Sequence, residues 1–418
     1  MSFSLLVLNT IFILTLPFLF FAFILPNLAR YIKRGRKTFF ERFYLKARNL
    51  KKGGIVIFSS SVGEGKIAIH LARTLRKTTR KSIYALVETP EAKKILKKSS
   101  VFDNCFLAPV DIFFVVKSFF KKLKPSLLIL IELGIWPNLI EVASKTSKIV
   151  IVNGRISRRS FPRYRIFKFF IKKLFKNISL ICVRTQTDAR RFVKLGAEER
   201  KVFITGNLKY DLMFSNIEKH EIPIKKEGKK IIVAGSTHRG EEEAVVDAVL
   251  NLKRDDVFCV IAPRHIERAD EVKALLQKRG ISALLLSEYK NRHKKNPQTH
   301  ANFLVVDKMG YLMDFYRIAD ICFVGGSLIP HGGQNFLEAI FLKKPVCVGK
   351  YNDNFKFEFE FFKDDIYISQ TPQNLKRIFE KIFENPENAD MKAKRAYEKL
   401  KTLTGKTERY LSLLEEFL

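Results

Sequence analysis

Short runs of consecutive apolar, often β-branched residues alternate along this chain with longer stretches that mix apolar and charged positions. GGIVIFSS (53–60), KSIYALVET (81–89), LLILIEL (127–133), KIVIVNG (148–154) and ISLICVRT (178–185) form a first series. Uninterrupted apolar runs of this length mark strands buried on both faces. Their alternation with helical stretches predicts a parallel sheet covered by helices on both sides. A polar, Lys-rich break at Glu218–Lys230 interrupts the rhythm. It resumes with KIIVAGS (230–236), VFCVIAP (257–263), FLVVD (303–307), DICFVGGS (320–327) and KPVCVGK (344–350). The pattern predicts an α/β protein of two doubly wound domains, 30–217 and 230–418, joined by a linker at 218–229. The tail from Thr371 reads as helix rich in Lys and Glu, without a motif.

The N-terminus has another texture. No charged side chain occurs from Met1 to Ala29, and Phe3 to Leu25 is almost wholly apolar. A span of ~20 apolar residues matches the hydrocarbon thickness of a bilayer. A signal peptide would begin with positive charge and end in small residues, and neither feature is present. Arg30, Lys33, Arg34, Arg36, Lys37, Arg42, Lys46, Arg48, Lys51 and Lys52 follow, opposed only by Glu41. This asymmetry predicts a single-pass anchor over residues 1–29, with everything after it on the cytoplasmic side of the membrane.

Charge sharpens this picture. The 418 residues include 76 Lys+Arg against 42 Asp+Glu, a net +34 that calls for an anionic partner. No zinc pattern, RNP-like motif or helix-turn-helix accompanies it, which argues against nucleic acid. Arg155–Asn177 holds nine Lys/Arg and no acid, interleaved with Phe161, Tyr164, Phe167, Phe169, Phe170 and Phe175. FFVVKSFFKKLK (113–124) repeats the theme. Such faces suit anionic lipid, and equally suit a helix half in the core with a solvated lysine side. The five cysteines are isolated and lack His at ligand spacing, so no metal site is expected.

Ligands of open α/β sheets bind beyond the carboxyl ends of the strands, so the loops after these runs are the places to look. SSSVGEGK (59–66) is not a phosphate-binding P-loop, because Ser60 stands where the first glycine is required and Ile67 where Ser or Thr would hold magnesium. It does present Glu64 between Gly63 and Gly65 at a strand-to-helix turn. A carboxylate there can act as a general base, or simply face the helix dipole. GSTH brings Gly235, Ser236 and His238 to a strand end, and GGSL brings Gly325, Gly326 and Ser327, where backbone amides can approach an anion. Arg264 and His265, after Pro263, can contact a nucleotide. Asn335 and Glu338 share a helix face, from which the glutamate can bridge ribose hydroxyls. Together these loops suggest a nucleotide in the second domain.

In order, SSSVGE, IELGIWPNL, NGRISRRSFPRY, TQTDARRFVKLGA, TGNLKYD, AGSTHRGEEE, APRHIERA, VDKMGYLMDFYRIADICFVGGSL and GGQNFLEA resemble the motifs of bacterial 3-deoxy-D-manno-octulosonic acid (Kdo) transferases, over roughly residues 3–360. The resemblance implies a GT-B fold, two Rossmann-like domains facing a cleft. It implies inverting transfer of Kdo from CMP-Kdo to a lipid A precursor, lipid IVA, in lipopolysaccharide synthesis, with no cofactor and no metal in the transfer step. It implies catalytic roles for Glu64, Glu132 and Lys209. For CMP it implies the loops Pro263-Arg264, Met309-Gly310-Tyr311 and Asn335-Phe336-Leu337-Glu338. Three positions depart from the family pattern: Gly134 replaces a second acid after Glu132, Tyr311 stands where an acid usually follows the glycine, and Gln334 where His or Arg is common. The residues alone also admit a transferase using another nucleotide sugar on a membrane acceptor, or a non-enzymatic basic protein bound at a membrane.

Overall fold

The structure is a computed structural model. It describes Thr10, residues 41–43, 50–158, 160–214, 220–222, Ile224, Lys226, 228–293 and 302–418. The chain divides into two compact units, Met1–Leu212 with Leu403–Leu418, and Met213–Thr402.

The first unit is built on seven strands: β1 (Ile55–Ser59), β2 (Ile83–Val87), β3 (Asn104–Leu107), β4 (Leu127–Ile131), β5 (Lys148–Gly154), β6 (Leu180–Val183) and β7 (Val202–Ile204). They lie in the order β3-β2-β1-β4-β5-β6-β7, and every pairing is parallel. The apolar runs split by alternation between the two faces. Val56, Phe58, Leu128, Leu130, Ile149 and Ile151 feed one core, and Ile55, Ile57, Leu127, Ile129, Ile131, Val150 and Val152 the other. Each such side chain, fully buried, is worth about 1.5–3 kcal/mol against exposure.

The second unit repeats the plan with β8 (Lys230–Thr237), β9 (Val257–Pro263), β10 (Ala283–Leu285), β11 (Phe303–Val305), β12 (Ile321–Val324), β13 (Val346–Gly349) and β14 (Tyr367–Ser369). Their order is β10-β11-β9-β8-β12-β13-β14, again parallel throughout. In both sheets the order reverses beside the first strand, between β1 and β4 and between β8 and β12. Such switch points are where doubly wound sheets hold ligands.

Two expectations about organisation change. Residues 403–418, expected in the second domain, belong to the first unit. Helix Lys406–Leu414 buries Tyr410 and Leu414 in its core, and the Tyr410 hydroxyl donates to the Gly206 carbonyl at 2.8 Å. The described part of the expected linker 218–229 is held to the second unit: His220 donates to Asp314 through its backbone N–H at 3.1 Å, and Lys226 pairs with Asp320 at 2.7 Å. The expected anchor, 1–29, lies outside the described residues apart from Thr10. Among the described residues no helix is long and apolar enough to cross a membrane.

Candidate active site

In the first unit the turn after β1 opens helix Val62–Thr78. Ser61 caps it, its hydroxyl accepting from the Glu64 N–H. Gly65 allows the helix to lie against Leu96, whose Cδ1 would stand 2.7 Å from any added Cβ. The Glu64 carboxylate turns back and accepts from the Ser60 N–H at 2.6 Å and the Ser61 hydroxyl at 3.3 Å. Burial pushes its pKa above the usual glutamate value. The Glu132 charge adds to that rise, while the Ser60 amide and Lys209 oppose it.

Glu132 follows β4 with φ +59°, a left-handed conformation that costs a non-glycine residue about 1–2 kcal/mol. Its backbone N–H donates to Val152, and its carboxylate meets Lys209 Nζ at 2.7 Å. Lys209 comes from helix Leu208–Met213, whose Asp211 accepts from Thr407 of the C-terminal segment, N–H at 2.7 Å and hydroxyl at 2.5 Å. The structure thus gathers the three residues expected to be catalytic into one electrostatically coupled group.

Beside them, Gly134 is closely surrounded. A Cβ there would sit 2.8 Å from Cδ1 and Nε1 of Trp136, whose ring packs edge-on against Phe58. Asp111, which the sequence did not single out, holds the next helix, Pro137–Ala143. Its carboxylate accepts from the N–H groups of Asn138 (3.2 Å) and Leu139 (2.8 Å), and burial raises its pKa to about 6.

In the second unit the expected amide cradle at Gly325, Gly326 and Ser327 is occupied from within. The fully buried Glu241 accepts from the N–H groups of Gly326 (2.6 Å), Ser327 (3.0 Å), Leu328 (2.9 Å) and His238 (3.0 Å). Three of these four donors come from GGSL, so that turn binds a carboxylate of its own chain rather than offering free amides to a phosphate. Glycine is required at 325 because a Cβ would strike the backbone of Ser236 and Thr237 at 2.6 Å. Gly235 is similarly forced, since a Cβ would overlap the Tyr316 hydroxyl. Ser236 has φ +54°.

The remaining loops carry the cations. His238 is buried, with Gln334 Nε2 at 3.1 Å from its Nε2 and its ring centroid 4.0 Å from that of His331 and 6.1 Å from that of His265. Arg264 follows Pro263 at the end of β9. Met309 is exposed, Gly310 has φ +94°, and the Tyr311 ring lies 4.8 Å from His220. Asn335 Nδ2 donates to Glu338 at 3.0 Å, while Asn335 Oδ1 is buried without a partner. The side chains of Phe336 and Leu337 are core, not lining. Sequence reasoning missed Glu241, hidden in a run of three glutamates, and His331, whose only signal was its place just before Gly-Gly-Gln-Asn. No group of three metal-type ligands occurs among the described residues.

Two parallel-sheet α/β units in tandem make a GT-B-like fold. UDP-GlcNAc 2-epimerase from Neisseria meningitidis shows the same fold, with TM-score 0.60 and 14% identity over 87% of this chain and 100% of that one. The family described as 3-Deoxy-D-manno-octulosonic-acid transferase (kdotransferase) matches residues 37–212. A 3-deoxy-D-manno-octulosonic acid transferase from Haemophilus influenzae is 33% identical over 92% of each chain. A bifunctional glycosyltransferase/methyltransferase from Fusobacterium nucleatum is 36% identical over 78% of this chain, which spans 52% of that protein's length. The chain belongs to the 3-deoxy-D-manno-octulosonic acid transferase family.

Proposed function

We propose that this chain transfers Kdo from CMP-Kdo to a lipid A precursor, lipid IVA, with inversion and without a metal in the transfer step. The observation that carries the reading is the group Glu64, Glu132 and Lys209 at the strand ends of the first unit. Glu64 takes the proton from the acceptor hydroxyl. That oxygen attacks the anomeric carbon of Kdo, and the bond from this carbon to the phosphate oxygen breaks as CMP leaves. A half-buried glutamate with a raised pKa is matched to this duty, since a base is most effective when its pKa lies near the working pH. Lys209 neutralises Glu132 and so keeps that second carboxylate from overwhelming the first. In the second unit, Arg264 and its neighbouring cations answer the charge that collects on the departing phosphate.

The acceptor lies in a membrane, and the first unit has a surface suited to it. Ile166, Phe167 and Phe169 are 79%, 63% and 76% exposed, across the break between helices Phe161–Ile166 and Lys168–Lys176. Lys168, Lys172 and Lys173 stand among them, while Ile171, Leu174 and Phe175 point into the core. Apolar side chains amid lysines fit the interface of anionic lipid. With the apolar N-terminal segment as a single-pass anchor, the catalytic units work at the cytoplasmic face of the inner membrane, where the CMP-sugar is found.

The test is incubation of the purified full chain with a CMP-Kdo generating system and lipid IVA, with products read by mass. Kdo-bearing product from the native chain, and none from Glu64→Gln, is expected. An unmodified acceptor, together with tight UDP binding and none for CMP, would sink the reading.

A further inference from the structure

The loops of the second unit concentrate three of the chain's seven histidines, His238, His265 and His331. They arrive from three separate strand ends, after β8, β9 and β12. The charges of Arg264 and Arg268 act on His238 as well. Arg268 is largely spoken for, pairing with Glu242 at 2.9 Å and with Glu271 at 3.5 Å, and Glu242 also accepts from Thr237. His265 has Glu267 at 3.6 Å. The Glu241 carboxylate holds the His238 backbone N–H and is committed to three further amides. Without a ligand, a proton on His238 would face the charges of Arg264 and Arg268. Burial, followed by the charges of His331, His265, Arg268 and Arg264, holds His238 down to about 4.

The hydrogen bond to Gln334 fits the same state. An amide nitrogen 3.1 Å from His238 Nε2 donates to it, so that nitrogen carries no proton. Gln334 suits the alternative equally well: turned over, its carbonyl oxygen accepts from a protonated Nε2. An arginine or lysine at 334 could serve only the first arrangement.

We propose that the His238–His265–His331 trio is the anion subsite for the phosphodiester of the nucleotide-sugar donor, and that it takes up a proton from solvent when that anion binds. This rests on the donor reading given above and adds to it the groups that meet the phosphate and the protonation change they undergo. An incoming single negative charge offsets the repulsion that keeps His238 neutral, and the trio then gains a proton. On departure of CMP the same coupling works in reverse.

The experiment uses full-length protein and cytidine 5′-(methyl phosphate), whose phosphodiester, like the donor's, carries one charge throughout the range studied. Calorimetry at pH 7 in two buffers of different ionisation enthalpy counts protons. The native chain should take up about half to one proton, with Kd weakening up to about tenfold per unit as pH rises from 6 to 8. His238→Asn and His331→Asn should each bind more weakly, with the uptake and the pH slope largely gone. His265→Asn, changing a side chain 59% exposed, keeps the test sound if a buried variant fails to fold, and should lower the uptake in part. Tight binding by the native chain without proton uptake would overturn the inference and leave the donor reading standing. Uptake unchanged in all three variants would also overturn it. Absence of any binding removes both.

Discussion

Replacing Glu241 by alanine is the most informative single change in the second unit. It removes the acceptor of four buried N–H groups, those of His238, Gly326, Ser327 and Leu328. Hydrogen bonds to a charged partner are worth about 1.5–3 kcal/mol each, but burying the carboxylate costs several kcal/mol in return. The balance for losing one partner of such a buried arrangement is a destabilisation of about 3–5 kcal/mol. For a unit of this size each kcal/mol moves the midpoint by about 2–4 °C, so Tm should fall by about 10 °C. Thermal unfolding followed by circular dichroism measures this directly. The arrangement makes a second, sharper demand. With the carboxylate gone the amides form an empty anion nest, so inorganic phosphate should restore stability to the variant well beyond its effect on the native chain. A loss below about 1 kcal/mol, or equal phosphate effects on both proteins, would refute the clamp.

In the first unit, the charges around Glu64 set the acid limb of the pH–rate profile, because the base works only when deprotonated. Glu132 raises the Glu64 pKa and Lys209 lowers it. Glu132→Gln should therefore move that limb to lower pH and Lys209→Met to higher pH; shifts of the same sign in both would contradict the coupling. Gly134→Ala forces Trp136 to give way, at a cost of about 1–3 kcal/mol. Trp136 is the chain's one tryptophan, so its emission spectrum should change; an unaltered spectrum with full stability would count against the packing. Asp111 holds its proton up to about pH 6 when folded, against 3.8 ordinarily. Its contribution is fully present below the unfolded value and is lost as pH rises through 6. The stability of the native chain relative to Asp111→Asn should accordingly climb as pH falls from 6 toward 4, by at most about 1.4 kcal/mol per unit; denaturant midpoints that show no such trend would dismiss it.

The sheets were legible because every residue of β1, β2 and β4 is apolar or small and wholly buried, a pattern that few other settings produce. Strands β3, β7, β10 and β14 are the edge strands of the two sheets, and they lack the long uninterrupted apolar runs of the central ones. Glu64 could be read locally, since its flanking glycines mark the turn. The Glu132–Lys209 pair could not, being joined across 77 positions, and only the family resemblance pointed to it. Glu241 reads locally as a helix-start acid, and its true partners lie 85 to 87 residues away. The tail misled for the same reason: nothing near Tyr410 announces that its hydroxyl seeks Gly206.

That tail imposes an order on biosynthesis. Cys182, Leu208 and the apolar strands of the first sheet leave the ribosome early, yet Tyr410 and Leu414, which complete the same core, emerge only after all of Met213–Thr402. The second unit has its whole sequence in hand first and can finish folding while the earlier-made one still waits with a seam uncovered. A chain stopped at Leu212 carries that exposed seam permanently, so the first unit cannot be obtained by simple truncation. Nascent-chain proteolysis should find it protected late, after its younger neighbour.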